Sequence, residues 1–270
     1  IIGLGGSGKT RLAVELARRA ILLFLHGLAY VRLDTAEENI SEDRLLRSIA
    51  NKCGLSSSTE PPRRQLVDYL RTREMLLVLD NFEQYVPAAA VLGSVLKEAP
   101  DVKIVVASRE RLDVPDEFVF PVGGMEYPQG SSPTHGAADA SLLFGGELDA
   151  EAYDLYDAVA LFARVVAQLN PAAPPDNIAD VIRICQLVEG LPLAIELIAP
   201  WTLTLSCAAI AAEISAEMPK FIDFERNFPE RHRSLSTVFE HSWARLTPAE
   251  QQVFCRLAVI VGAISPAAAA

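Results

Sequence analysis

The sequence has only four cysteines, no Cys or His residues at the spacing of metal ligands, and no long apolar run. Its four cysteines stand far apart at positions 53, 185, 207 and 255, so neither a zinc site nor a disulfide framework is expected, and buried reduced thiols are the simplest interpretation. The longest uninterrupted apolar stretch, residues 20–25, is far shorter than a membrane span requires. No basic region followed by a cleavage site is present at the start. We therefore expect a cytoplasmic protein with no membrane partner.

Positive charge is also in short supply. The chain has 24 Lys and Arg residues against 35 Asp and Glu residues, for a net charge of −11. Affinity for nucleic acid comes mostly from basic side chains that neutralise phosphates, so this chain is not expected to grip DNA or RNA by itself. Any contact with DNA should come from domains outside these residues.

Length and composition favour a globular protein with more than one domain. The chain has 270 residues, of which 50% are hydrophobic, and a domain takes roughly 150 residues. The sequence has no initiator Met and opens only two residues before a glycine-rich stretch, where a buried strand normally has about five or six. We expect a fragment of a longer protein.

Residues 1–122 alternate strand-like and helix-like segments. Apolar runs at 75–80 and 102–108, with a strand-like run at 28–34, are typical of parallel strands buried on both faces. Strands alternating with helices predict a parallel sheet covered by helices on both sides. The helices are expected at 9–20, 41–54, 62–71 and 86–99. The fold class of this part is α/β.

The remainder of the chain is predicted to be helical. From Gly123 to about Glu151 the composition turns to Gly, Ser, Pro and Ala, which indicates a linker or long excursion. Helical segments follow, and they predict a small helical bundle with a break from Pro219 to Arg231. Thr247 and Glu250 form a capping-box pattern at the start of the last helix. These helices are expected at 154–169, 177–190, 191–203, 207–218, 234–246 and 247–260.

The stretch "GLGGSGKTR" carries the most specific chemistry in the chain. It matches G-x-x-x-x-G-K-[ST] in full, with two further glycines inside the motif. Glycines allow backbone N–H groups to approach phosphate oxygens closely, and a helix that starts at the loop presents its positive end to them. Lys9 is expected to contact the β- and γ-phosphates and the Thr10 hydroxyl to bind Mg²⁺. The predicted nucleotide-binding residues here are Gly3, Gly5, Gly6, Ser7, Gly8, Lys9, Thr10 and Arg11.

Three residues at strand ends are candidates for the same site. Asp80 closes the run "MLLVLD" and is expected at the sheet edge that holds the glycine-rich loop, as a second Mg²⁺ ligand; a turn-capping role is the alternative. The residue next to Asp80 is the amide Asn81, which cannot take a proton from an attacking water. Glu83 could take that role, or it could be a solvated loop acid. Arg109 could contact a γ-phosphate or be a surface arginine.

The order of these motifs resembles the STAND signal-transduction ATPases. The stretches that carry the resemblance span nearly the whole chain: "GLGGSGKTRLA", "LLVLDNFE", "IVVASRERL", "FVFPV", "ICQLVEGLPLAIELIA", "RHRSLSTVFEHSW" and "LTPAEQQVFCRLAVIVGA". That group includes the NB-ARC modules of apoptosis activators and plant disease-resistance proteins. The sequence is most similar to the bacterial predicted-ATPase branch, which is fused to LuxR-type or SARP-type transcriptional regulators, adenylate cyclases or kinases.

The resemblance implies a domain order and further site residues. It implies a P-loop nucleotide-binding domain at 1–122, a linker at 123–152, a helical domain at 153–220 and the start of a winged-helix domain at 221–270. It also implies that Gly3 to Thr10 form the phosphate loop, that Asp80 is the Mg²⁺ carboxylate and that Arg109 is the sensor arginine. With Glu83 added from its place after Asp80, the predicted catalytic residues are Lys9, Asp80, Glu83 and Arg109. Leu191 and Pro192, in the "GLPL" stretch, would lie against the nucleotide.

Three functions follow as hypotheses. The first is a regulatory switch that binds ATP or ADP with Mg²⁺, hydrolyses ATP slowly and lets the full-length protein self-associate on activation. The second is a P-loop ATPase or small-molecule kinase with rapid turnover, which would need a catalytic base beside Asp80. The third, an ATPase that loads onto DNA, is disfavoured by the acidic charge.

Overall fold

The computed structural model describes residues 1–33, 40–55, 60–129, 156–170, 175, 177–222, 243 and 247–257. The chain divides into two compact units, Ile1–Gly123 and Gly124–Ala270. Each unit has buried apolar clusters of its own. Within the described residues, no helix has the length and apolar character needed to cross a membrane.

The first unit contains short parallel strands. Strands β2, β3 and β4 form one sheet in that order, and β1 pairs with β5. A parallel bridge between Ile2 and Ser108 joins β1 to the end of β4, so β1 lies between β4 and β5. The prediction of a parallel α/β unit is confirmed. The strands are β1 (Ile2–Gly3), β2 (Leu28–Arg32), β3 (Leu76–Asp80), β4 (Lys103–Val106) and β5 (Pro121–Val122).

Helices cover both faces of this sheet. On one face, Ala13 and Ala17 pack against Leu76 and Val78 of β3. On the other face, Leu77 and its neighbours pack on the remaining helices of the unit. Every side chain of β3 is buried, which explains its continuous apolar run. The helices are α1 (Lys9–Ala20), α2 (Glu42–Lys52), α3 (Pro62–Leu70) and α4 (Ala90–Glu98).

Several element boundaries differ from those that the sequence predicts. The helix expected at 86–99 is α-helical only from Ala90, after a 3₁₀ helix at Phe82–Ala88 that contains Pro87; the proline ring and its missing N–H interrupt an α-helical ladder. Strand β5 was not expected, since a two-residue strand has no periodicity to detect. The expected burial of all four thiols is wrong: Cys185 and Cys207 are buried, but Cys53 is half-buried and Cys255 is exposed.

The second unit is helical in its described part. Asn177 caps one helix by accepting a hydrogen bond from the Ala179 N–H at 2.9 Å, and Pro192 opens the next, where a missing N–H costs nothing. Phe162, Ile184 and Ile195 are among the fully buried side chains of its core. The helices are α5 (Asp157–Leu169), α6 (Ile178–Leu187), α7 (Pro192–Ile198), a 3₁₀ helix at Ala199–Leu203, α8 (Cys207–Ile222) and α9 (Pro248–Leu257).

Part of the segment predicted as a linker packs on these helices. Met125 and Tyr127 lie against the core of the second unit, and the Met125 N–H donates to the Gly190 carbonyl at 2.8 Å. Residues 130–152 of the predicted linker lie outside the described residues. The division into four segments stays a prediction.

Near the C-terminal end, one expectation is wrong in part and one is confirmed. Helix α8 runs through Pro219 to Ile222, so the first four residues of the break predicted at 219–231 are helical, and residues 223–231 lie outside the described residues. An interior proline removes one hydrogen bond and can kink a helix without ending it. The capping box is formed, with the Thr247 N–H donating to Glu250 Oε2 at 2.7 Å and the Glu250 N–H to Thr247 Oγ1 at 3.4 Å. Apart from Trp243, the helix predicted at 234–246 lies outside the described residues.

Candidate nucleotide-binding site

The glycine-rich loop, residues 3–10, connects β1 to α1. Gly6 and Gly8 have φ values of 78° and 91°, in the left-handed region that glycine adopts without strain. At Gly3, a Cβ atom would collide with the Val122 carbonyl oxygen of β5. The loop therefore needs glycine at some positions for its backbone shape and at another for close packing.

The loop leaves the N-terminus of α1 open to an anion. Gly8 is the N-cap residue, no side chain caps the helix and no acidic residue lies in its first turn. The first N–H groups of a helix lack partners within the helix, and its N-terminus carries partial positive charge. Ser7 is buried, and its hydroxyl has no hydrogen-bond partner among the described residues. Phosphate oxygens are acceptors that would bind these N–H groups and this hydroxyl.

Lys9 lies over the loop. Its Nζ donates a hydrogen bond to the Leu4 carbonyl at 2.7 Å. Partial burial is the largest influence on the Lys9 pKa and lowers it; the charge of Arg109 also lowers it, whereas Glu83 and Asp80 act in the opposite direction. Lys9 therefore shares the electrostatic environment of Glu83, Arg109 and Asp80.

Asp80 is held by hydrogen bonds from two different elements. Its Oδ1 accepts from the Thr10 hydroxyl at 2.9 Å, and its Oδ2 accepts from the Tyr30 hydroxyl at 2.7 Å. Only 2% of Asp80 is exposed. Burial, followed by the hydrogen bond and charge of Asp80, raises the pKa of Tyr30 to about 12, so this hydroxyl remains a donor at neutral pH.

Glu83 and Arg109 form an ion pair near the loop. Arg109 Nε donates to Glu83 Oε1 at 3.1 Å, with 58% of the arginine side chain and 24% of the glutamate side chain exposed. The other glutamate oxygen, Oε2, is buried and has no hydrogen-bond partner in the described part of the chain. The Arg109 guanidinium carbon lies 3.6 Å from where a Cβ of Gly5 would be. Glu83 is therefore not a fully solvated acid, and Arg109 lies beside the loop.

Asn81 turns the chain out of β3. Its φ and ψ are 59° and 46°, in the left-handed region, and it precedes the 3₁₀ helix at Phe82–Ala88. Asparagine adopts this conformation more readily than most residues. The amide beside Asp80 thus has a backbone reason to be there, in addition to any effect on hydrolysis.

The remaining predicted residues lie elsewhere. Arg11 is exposed in the first turn of α1. Leu191 and Pro192 belong to the second unit, where Leu191 is buried in the helical core and Pro192 begins α7. Their contact with a nucleotide stays a prediction.

Tyr30 is the site residue that sequence reasoning missed. Its strand was predicted, and β2 pairs with β3 so that Arg32 lies opposite Asp80. Because side chains alternate between faces, Tyr30 shares a face with Arg32 and therefore with Asp80. The polar hydroxyl in a strand next to a strand-end carboxylate was the available signal, but only strand order and register identify the pair.

The donor set fits a magnesium nucleotide. Mg²⁺ prefers oxygen ligands, with one or two from carboxylate or hydroxyl groups and the rest from phosphates and water. Thr10 and Asp80 supply such oxygens at the N-terminus of α1, where the phosphates would be. Within the described residues, no cluster of three or more His, Cys, Asp or Glu side chains offers an all-protein metal site.

The chain is similar in sequence to proteins that are named as transcription regulators. The chain is 30% identical over 276 residues to a protein of Mycobacterium tuberculosis named as a candidate HTH-type transcriptional regulator; the match covers 99% of this chain and 27% of that protein. It is 28% identical over 285 residues to the regulatory protein AfsR of Streptomyces coelicolor, covering 100% of this chain and 24% of that protein. The chain thus spans about a quarter of the length of these relatives.

Other comparisons are weaker. A Walker-type ATPase of Pyrococcus abyssi aligns with 94% of this chain and 70% of its own, at 12% identity and a TM-score of 0.40. No family model matches the chain.

Proposed function

We propose that this chain is the nucleotide-dependent switch of a larger bacterial transcription regulator. It binds ATP or ADP with Mg²⁺, hydrolyses ATP slowly and controls the assembly or output of the full-length protein, of the STAND type that the sequence motifs resemble. One observation carries most of the proposal: the Thr10–Asp80 hydrogen bond joins the glycine-rich loop to the strand-end carboxylate across 70 residues of sequence. The similarity to regulators supports the regulatory part.

Each group in the site has a task in this proposal. The backbone N–H groups of the loop and of the start of α1 bind the phosphates, and Lys9 turns from the Leu4 carbonyl to the β- and γ-phosphates. Thr10 and Asp80 hold Mg²⁺, which neutralises phosphate charge when bound. Arg109 distinguishes ATP from ADP by charge, from its place beside Gly5. Leu191 and Pro192 are included as nucleotide contacts on the strength of the resemblance alone.

The state of Glu83 favours slow over rapid hydrolysis. A general base must offer a free oxygen to the attacking water, but Glu83 Oε1 is paired with Arg109 and Glu83 Oε2 is buried. The neighbouring Asn81 is an amide and cannot take that proton. Rapid turnover would require the Glu83–Arg109 pair to separate in every cycle, which is the specific obstacle facing the alternative of a conventional ATPase or kinase.

A switch also requires a sufficient difference in binding free energy. A ligand inverts a population of 1:99 only if it binds one state more tightly by about 5.5 kcal/mol. The γ-phosphate and its contact with Arg109 would supply part of that difference, because ADP lacks the group. Self-association and DNA contact then belong to the full-length protein, since this chain carries a net charge of −11.

The proposal is tested by bound nucleotide and by turnover. Purified protein, denatured and analysed by ion-exchange chromatography, is expected to release ADP in near-stoichiometric amount. Steady-state hydrolysis should stay below about 1 per second, the low end for kinases. An intact protein with no bound nucleotide and no affinity for added ADP would contradict the switch, and faster turnover would favour the conventional enzyme.

Arg109→Ala should reduce the preference for ATP. We expect the affinity for ATP to fall about tenfold, the worth of one exposed charge-assisted contact, and the affinity for ADP to change less than threefold. Titration with fluorescent ATP and ADP analogues measures both. Arg111→Ala is the matched control, because Arg111 is similarly exposed but lies near Asp113 and Glu117. Equal losses for both nucleotides would contradict a γ-phosphate contact.

A further inference from the structure

We propose that Tyr30 is a positioning residue for the Asp80 carboxylate and thereby sets how tightly the site holds Mg²⁺ beside a nucleotide. The inference rests on the proposed function, because the metal concerned is the one that accompanies ATP or ADP. It adds a residue of β2 to a site otherwise built from the glycine-rich loop, α1 and β3.

Strand geometry explains how Tyr30 reaches Asp80. Arg32 lies directly opposite Asp80, and Tyr30 opposite Val78, so Tyr30 starts two residues behind the carboxylate on the same face. Each residue of a strand advances about 3.3 Å, and a tyrosine side chain that leans along the strand spans that offset. A shorter polar side chain at position 30 would not reach Asp80.

The two hydrogen bonds on Asp80 fix its orientation. Thr10 donates to Oδ1 at 2.9 Å and Tyr30 donates to Oδ2 at 2.7 Å. Rotation of the carboxylate would break at least one of these bonds in a place where only 2% of Asp80 reaches solvent, and a buried acceptor without a donor is costly. Thr10 is itself a predicted metal ligand, whereas Tyr30 acts only through Asp80.

Tyr30→Phe tests this role with little change in shape. Loss of a hydrogen bond that orients a metal-binding carboxylate typically lowers metal affinity 10–100-fold. We expect the Mg²⁺ concentration at half-maximal tightening of ADP binding to rise about tenfold. Affinity for ADP in EDTA should stay within twofold of wild type, because the loop, Lys9 and α1 are unchanged. Both are measured by titrating a fluorescent ADP analogue.

Two further experiments provide a control for Tyr30→Phe and a test of whether Tyr30 acts through Asp80. Tyr69→Phe removes a hydroxyl from α3, where the tyrosine ring lies against Arg73 at 4.0 Å, and should leave the Mg²⁺ dependence as in wild type. In an Asp80→Asn background, Tyr30→Phe should add nothing to the loss of Mg²⁺ dependence, because the two residues act through one contact.

The possible results distinguish a failure of the Tyr30 role from a failure of the proposed function. If wild type binds ADP and Tyr30→Phe has an unchanged Mg²⁺ midpoint, the positioning role is wrong while the switch stands. Loss of ADP binding in EDTA would also overturn it, because Tyr30 would then support the fold of the whole site. If wild type binds neither ADP nor ATP, the proposed function fails, and this inference fails with it.

Discussion

Lys9→Ala is expected to lower the affinity for ADP and ATP about 100-fold. Truncating a charge that pairs with a buried opposite charge commonly costs 2–5 kcal/mol, and Lys9 would face the β- and γ-phosphates. Its present hydrogen bond to the Leu4 carbonyl lies within a half-buried loop, so the substitution should leave the fold intact. Isothermal titration with ADP and Mg²⁺ measures the loss, and circular dichroism checks the fold.

Lys97→Ala supplies the matched control for Lys9→Ala. Lys97 lies exposed in the last turn of α4, so its removal makes the same change in net charge away from the loop. We expect the affinity for ADP to stay within twofold of wild type. An equal loss in the two variants would mean that general electrostatic attraction, and not a phosphate contact, holds the nucleotide.

Gly190→Ala should destabilise the second unit by about 3 kcal/mol or more. Gly190 has a φ of 63°, which costs a residue with a side chain about 1–2 kcal/mol. In addition, a Cβ there would collide with the Met125 carbonyl oxygen, so the backbone pairing of Met125 with Gly190 must shift. The two tryptophans, Trp201 and Trp243, both belong to residues 124–270, so fluorescence during urea unfolding reports on this unit.

Gly54→Ala measures the cost of a side chain at positive φ without a steric collision. Gly54 has a φ of 80°, with nothing within 4 Å of an added Cβ, and it lies in the first unit. We expect the free energy of unfolding of the first unit, followed by circular dichroism, to fall by about 1–2 kcal/mol. The unfolding transition followed by tryptophan fluorescence should not shift. If Gly190→Ala proves no more costly than Gly54→Ala, the close contact with Met125 has no part in the need for glycine.

The Gly190 result bears on how the "GLPL" stretch is interpreted. The resemblance assigns it to nucleotide contact, yet Gly190 and Leu191 already have structural reasons to be present: a tight backbone approach and a buried core position. Pro192 is half-buried at the start of α7. Among these three residues, Pro192 is therefore the one at which substitution best separates nucleotide binding from stability.

Much of the candidate site could be predicted from the sequence because it depends on local rules. The glycine spacing fixes the loop, and the helix that follows is periodic. The carboxyl ends of parallel strands share one edge of a sheet, which places Asp80 next to Thr10 although 70 residues separate them. These inferences need only the direction of the strands and not their order.

The rest required strand order, register and side-chain contacts. Tyr30 meets Asp80 because β2 is the neighbour of β3 in one register, and a single sequence contains neither fact. The pairing of Glu83 with Arg109 joins the 3₁₀ helix after β3 to the loop after β4. From the sequence, Asn81 is notable only as an amide that cannot accept a proton. Its left-handed backbone conformation is visible only in the structure.

The pairing of β1 with β5 has a mechanical consequence. β5 ends at Val122, two residues before the second unit begins, and it is bonded in parallel to the strand that leads into the glycine-rich loop. Gly3 also packs directly against Val122. Because the two strands are hydrogen-bonded, a displacement of β5 would also displace β1 and the start of the glycine-rich loop.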